Sequence, residues 1–291
     1  MRRLRVNTTG AGGLELARGE RPLLVVAHPG HELRLFGWLC DARPDVLVLT
    51  DGSGHSRRSR IAATDRLLRV TGAHAGPVFG DYTDRELYVA LLEADAAPFV
   101  DMTAAVVEVL RRGRYRTVVA DPLEGYNPAH DLCRVIVNTA INCVSRFCAR
   151  AIRNYEYALT STSDMRGSTA SIVMRLPAEV RERKIAAASG YRELFAEVAA
   201  AVEREGGRAY DEEVLRKVAP DCCAQAPERI PPFYETYGRQ QCAAGLYSNV
   251  IRYAEHFLPM ARAVAQSVES AARPLSGISA PGCPVPAPSG P

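Results

Sequence analysis

The sequence predicts an α/β chain, with a mostly parallel sheet, helices on both faces and a helical carboxy-terminal third. Three observations carry this. Runs rich in β-branched residues at Leu23–Ala27 (LLVVA), Val46–Thr50 (VLVLT) and Thr117–Ala120 (TVVA) are short and continuously apolar, as strands buried on both faces are. Stretches with helical spacing of apolar residues lie between them. Alternation of this kind implies βαβ units with right-handed crossovers, so the sheet is expected to be Rossmann-like.

In chain order, residues 1–19 form a lead and residues 20–272 a single domain. After the first two runs, a short third run, Pro77–Gly80, ends at Asp81. A helix is expected over Ala97–Arg112, stopped by Gly113, and another over Leu132–Ile152. Tyr155–Thr160 and Ser171–Leu176 suggest an antiparallel edge pair, followed by a long helix from Ala178 to Glu205. Four prolines make Ala219–Pro232 a loop before a further helix over Arg239–Ala272. The tail, Arg273–Pro291, holds six prolines among nineteen residues and is expected to be disordered.

The composition narrows the function classes. With 36 basic and 33 acidic side chains, the net charge of +3 argues against wholesale disorder and against a surface that coats nucleic acid. No apolar run reaches the roughly 18 residues of a membrane span; the longest candidate, Leu87–Leu110, is broken by Glu93, Asp95 and Asp101. No signal-like segment is apparent, and the eight cysteines lack any C-x-x-C pair. The expectation is a soluble, cytoplasmic protein with buried thiols.

In an open parallel sheet, ligands gather outside the carboxyl ends of the strands. The first run exits into His28-Pro29-Gly30-His31-Glu32, the second into Asp51-Gly52-Ser53-Gly54-His55, and the fourth into Asp121 to Asp131, which includes His130. His28 and His31 lie three apart where a strand turns into a helix. With His130 they would suit a catalytic zinc, which takes three protein ligands and one water. By spacing alone the same residues are better described as a helix cap and a satisfied loop histidine. His55, His74 and His256 are read as ordinary surface or core histidines.

These segments resemble the PIG-L, or LmbE-like, N-deacetylases, whose first strand ends in A-H-P-D-D-E, followed by T-D-G and a later H-P-D-H. Here they read A-H-P-G-H-E (Ala27–Glu32), T-D-G (Thr50–Gly52) and N-P-A-H (Asn127–His130), with a weaker K-x6-Y echo at Lys184 and Tyr191. The resemblance covers about residues 20 to 195. It implies zinc bound by His28 and His130, with His31 replacing a ligating aspartate, and a small-molecule N-acetylated sugar, from a glycoconjugate or antibiotic precursor, as substrate. A site of three neutral imidazoles carries one more net positive charge than two imidazoles and a carboxylate, so its water should be more acidic.

One departure is serious. The residue that resembles a general base in the family falls on Gly30, which cannot take a proton, and Asn127 stands where a histidine is often found. Three outcomes are open: a relocated carboxylate, with Glu124 first and Asp51 and Asp131 behind it; attack by the more acidic water without a base; or binding of an acetylated sugar or a partner without hydrolysis. Tyr126 is a candidate donor to an oxyanion. Asp81, Asn127, Arg57 and Arg60 are candidate substrate contacts, Arg58 lying beside the arginines; a turn-forming aspartate and a solvated basic turn explain Asp81 and the arginines as well. A nucleotide-binding Rossmann protein would need a G-x-G loop, which Pro29-Gly30-His31 does not supply. Oligomeric state stays open, a homo-oligomer being one option.

Overall fold

Leu23–Val26 is four apolar residues without solvent exposure, a segment that needs a paired neighbour on each edge and cover on each face. The computed structural model, which describes residues 7–9, 20–160, 171–191, 208–218 and 229–271 with Leu194, Ala199, Glu203 and Pro227, supplies both. Among the described residues the strands are β1 (Asn7–Thr9), β2 (Leu23–Val26), β3 (Asp45–Thr50), β4 (His74–Tyr82), β5 (Thr117–Ala120), β6 (Arg153–Tyr157), β7 (Ser171–Arg175) and β8 (Glu212–Lys217). They form one sheet in the order β1-β7-β8-β6-β5-β2-β3-β4. The half from β4 to β6 is parallel, and β8, β7 and β1 extend it antiparallel.

The principal helices are α1 (Phe36–Ala42), α2 (Ile61–Thr71), α3 (Asp84–Leu92), α4 (Ala97–Gly113), α5 (Pro128–Phe147), α6 (Ala178–Gly190), α7 (Phe233–Ala243) and α8 (Leu258–Ala271). Successive strand side chains point to opposite faces. Leu23 and Val25 therefore meet Phe99 and Val106 of α4, Leu132 and Ile136 of α5 and Val264 of α8, whereas Leu24 and Val26 meet Trp38 and Leu39 of α1 and Leu68 of α2. Each such buried side chain stabilises the fold by about 1.5–3 kcal/mol. The expected three-layer α/β architecture is the observed one.

The chain runs outward from β2 through β3 to β4, then returns to β5 on the opposite side of β2. Strand order reverses between β2 and β5, so their exit loops part and leave a crevice between them.

The carboxy-terminal half departs from expectation. β6 and β7 do not pair with each other: β8 lies between them, antiparallel to both. Its signal is weak because only Val214 and Leu215 are apolar within Glu212–Lys217, and the burial of Glu213 is balanced by a partner distant in sequence. Within the lead, the polar Asn7–Thr9 pairs with β7. The third run is longer than read, so Asp81 lies inside β4 rather than beyond it. The last expected helix is two, α7 and α8, interrupted where Gly245 takes φ +73. The helix from Ala178 is described to Gly190; most of its expected continuation and the proline-rich tail lie outside the described residues. No described helix is long and apolar enough to cross a membrane. The described cysteines are free, with Cys40, Cys133 and Cys143 buried but Cys148 exposed.

Candidate functional site

The crevice is tied across its base by the backbone N–H of Ala27, which donates to Asp121 Oδ2 at 2.8 Å. His28 follows β2, and the turn through Gly30 (φ +106) opens a short 3-10 segment at His31. His130 enters from the other side in the first turn of α5, which begins at Pro128 and is capped by Asn127 Oδ1 accepting from Ala129 N at 2.8 Å. The three rings meet. Ring centres of His28 and His31, and of His28 and His130, are 5.3 Å apart, and those of His31 and His130 are 4.4 Å apart.

Two of the rings are fixed from behind by buried carboxylates. His28 Nδ1 lies 2.9 Å from Asp84 Oδ1 and 2.8 Å from Thr50 Oγ1, and Thr50 also donates to Asp84 Oδ1 at 2.6 Å. His31 Nδ1 lies 2.8 Å from Asp121 Oδ2, whose other oxygen accepts from Tyr157 Oη at 2.5 Å. A carboxylate only accepts, so each Nδ1 carries a proton and a neutral ring keeps its lone pair on Nε2. Burial pushes both aspartates up, but the hydrogen bond and charge of His28 hold Asp84 well below the usual carboxylate range, and the charge and hydrogen bond of His31 do so for Asp121. Burial lowers His31 against the pull of Asp121, and lowers His130 further with the help of the neighbouring rings. Both are therefore neutral near pH 7.

This set suits a divalent ion of the zinc type. Imidazoles sharing one tetrahedral ion at about 2.0–2.1 Å bring their ring centres to about 5 Å from one another. The carboxylates behind His28 and His31 are the supports that ligating histidines ordinarily have. His130 Nδ1 is buried without a hydrogen-bond partner, a cost that a bound cation would remove. Among the described residues no group of three or more His, Cys, Asp or Glu side chains stands as a formed metal-holding set; the fit rests on the ring cluster and its carboxylate supports.

The place of a base at position 30 is filled by other side chains. A Cβ on Gly30 would lie 2.1 Å from Leu194 Cδ1 and 3.5 Å from Tyr191 Cζ, in a small apolar cluster with Ala63. Glu32, fully buried, accepts from Gly30 N at 2.7 Å and from Thr64 Oγ1 at 2.7 Å. Thr64 in turn lies 3.0 Å from Tyr191 Oη. Lys184, the other part of the K-x6-Y echo, is buried and bonded to Glu213 and to the carbonyl of Arg34, both at 2.9 Å. Glu213 also accepts from Gly37 N and Trp38 N at the start of α1. This segment builds the fold.

The remaining candidates separate. Glu124 lies on the loop after β5; its Oε1 accepts from Thr160 N at 3.1 Å, its Oε2 is buried without a partner, and burial, aided by the charge of Asp121, pushes it up to about 7. Asp131 is also raised to about 7 by burial, but its Oδ1 holds the loop by accepting from Glu124 N and Gly125 N at 3.0 Å. Asp51 shapes its own turn by accepting from Ser53 N. Asp81, Arg57 and Arg58 are exposed. Arg60 donates Nε to Gly52 O at 2.5 Å beside Pro29, and its charge helps to lower His31. Tyr126 is half exposed and stacks on His130, with ring centres 6.4 Å apart and planes at 29°. Asn127 spends both ends of its amide, on Ala129 N and on Tyr88 Oη at 3.1 Å, so it serves as a helix cap. His74 is half exposed 4.0 Å from Asp45, and His256 Nδ1 accepts from Arg252 N; the side chain of His55 lies outside the described residues.

The sequence does not mark Asp84 or Tyr157, and it marks Asp121 only as a strand-exit position. One signal was available for Asp84: Thr83 and Glu86 form a capping box, which places Asp84 in the first turn of a helix at the sheet's edge.

No family model and no curated protein matches the chain. Among solved structures, it is similar to a deacetylase triple mutant of the teicoplanin biosynthetic pathway, at 13% identity and TM-score 0.46, over 68% of this chain and 98% of that one. It is also similar to the zinc-inhibited form of teicoplanin deacetylase Orf2, at 12% identity and TM-score 0.41, with the same coverage.

Proposed function

We propose that the chain is a metal-dependent amide hydrolase that removes an N-acetyl group from an amino sugar, with His28, His31 and His130 holding zinc. The observation that carries this reading is the meeting of three imidazoles at the β2/β5 crevice, two of them backed by buried carboxylates. A bound zinc ion would polarise the amide carbonyl and lower the pKa of a water.

The chain's own groups would do the rest. Glu124, raised to about 7, is poised to take a proton from the attacking water and return it to the departing amine; the balance is amide plus water giving amine plus acetate. Its Oε2 has no other partner. Tyr126, against His130, is the proposed donor to the carbonyl oxygen, and Arg60 offers its planar donors to sugar oxygens at the rim.

A second reading, a relative that binds an acetylated sugar without hydrolysing it, is favoured by Leu194 filling the space beside Gly30. Metal analysis of the purified chain, of His31→Ala and of His130→Ala, with amine release from N-acetylated sugars, separates the two. Stoichiometric zinc lost in both variants and zinc-dependent amine release support the hydrolase. Zinc without amine release supports the binding protein, and equal metal in all three chains removes the ligand assignment.

A further inference from the structure

We infer that the exposed row of aromatic rings leading away from His130 along α7 is a subsite for a flat aromatic group attached to the acetylated sugar. The inference deepens the hydrolase reading and rests on it for the position of the sugar.

The rings make an unbroken series. Tyr126, already stacked on His130, stacks on Phe233 with centres 5.0 Å apart and planes at 3°. Phe233 stacks on Tyr237 at 5.7 Å and 23°, and Tyr237 meets Tyr247 edge-on at 6.4 Å. Phe233 and Tyr237 are one helical turn apart and so share a face of α7, while the buried side of that helix is made by Tyr234, Glu235 and Gly238. Core packing therefore does not account for the outward rings. Tyr126, Phe233 and Tyr237, joined by these ring contacts, are 48%, 47% and 41% exposed, three of the nine large apolar side chains exposed among the described residues. Such a concentration marks a contact surface, whereas scattered exposed apolar residues do not.

The geometry selects the occupant. Ring planes in contact lie about 3.5 Å apart, so parallel rings with centres 5.0 Å apart are slipped sideways and leave part of each face uncovered. Uncovered ring faces favour another ring over an alkyl chain of equal area. No rung is charged, and the nearby Arg239 is already paired with Glu235. The first rung stands with its ring centre 6.4 Å from that of a proposed ligand, His130, so a group on that rung lies beside the cluster.

Binding of methyl, n-octyl and phenyl N-acetyl-β-glucosaminides, measured by calorimetry on the full chain, tests this. The phenyl glycoside is expected to bind about tenfold more tightly than the methyl and clearly more tightly than the octyl. Phe233→Ala should bring the phenyl glycoside to within about twofold of the methyl, and Phe233→Trp should keep the preference. The introduced indole is exposed, so its change in emission on binding, read against the constant emission of the buried Trp38, reports occupancy. Equal binding of phenyl and octyl glycosides, a preference that survives Phe233→Ala, an equal loss in the remote Val70→Ala, or a dimer that Phe233→Ala converts to monomer would each overturn the subsite. A Phe233-dependent phenyl preference without zinc-dependent amine release would leave the subsite standing and remove the hydrolase reading. Amine release indifferent to the aglycone and to Phe233→Ala would do the reverse.

Discussion

Two pairs of carboxylates flank the crevice, Asp84, Asp121 and Asp131 buried and Glu124 partly so, and enclosure acts on them with opposite results. Asp84 and Asp121 each face an imidazole and are held well below the ordinary carboxylate range. Glu124 faces the backbone N–H and the side chain of Thr160, and Asp131 faces the backbone N–H groups of Glu124 and Gly125; each keeps one oxygen without a partner and is raised to about 7. Burial alone does not set a carboxylate's role; what it faces does. The first pair is permanently charged and orients rings, and the second can exchange a proton near neutral pH.

If that division is right, removing a member of each pair should fail in different ways. Glu124→Gln is expected to lower zinc-dependent amine release about 10²- to 10⁴-fold with metal content intact, as read by single-turnover assay and metal analysis on one sample. Asp84→Asn should instead weaken metal binding about 10- to 100-fold, measured by competition with a chelator. The same loss of metal from Glu124→Gln would erase the distinction.

The filled space beside Gly30 gives an effect on folding. Gly30→Ala places a Cβ against Leu194 at φ +106 and should cost roughly 1–3 kcal/mol in urea unfolding. Adding Leu194→Ala should recover the steric part of that loss but not the backbone part.

The pH dependence is subtler. Glu124 has a native pKa above its unfolded value of about 4.3, so between that value and about 7 the native state holds a proton the unfolded chain has lost. Stability from this group therefore falls as pH rises through the window, by at most about 1.4 kcal/mol per unit, and levels off above it. In metal-free protein, the melting temperature of Glu124→Gln relative to the unsubstituted chain should climb between about pH 5 and about pH 8; a flat difference would show that Glu124 is not raised. The smallest effect is assigned to Arg57→Ala, an exposed side chain expected to move stability by less than about 0.5 kcal/mol, checked in the same melts.

The sheet and the ring cluster were legible because they depend on local pattern: apolar runs of strand length, and histidines placed where those runs end. The supports behind the rings were not, because Asp84 and Asp121 reach His28 and His31 only through the order in which strands pair. β8 gives a weak signal for a related reason, since the burial of Glu213 is balanced by Lys184 and by the backbone N–H groups of Gly37 and Trp38, all from other elements. Gly30 could be read as the loss of a base, but not that Leu194 fills the space beside it. The carboxylate Glu124 was selected from the sequence, while the state that makes it useful comes from its surroundings. Asp81 stands near a strand end in the sequence, but the longer β4 leaves it facing solvent.

The contact between Lys184 and Glu213 has a practical consequence. The chain has only two lysines, of which Lys217 is exposed and Lys184 is almost wholly enclosed beneath α1. An acylating reagent should tag the first at once and the second only during moments when α6 lifts from α1. The rate of that slow tagging, followed by mass spectrometry, is a built-in clock for the opening of this one seam.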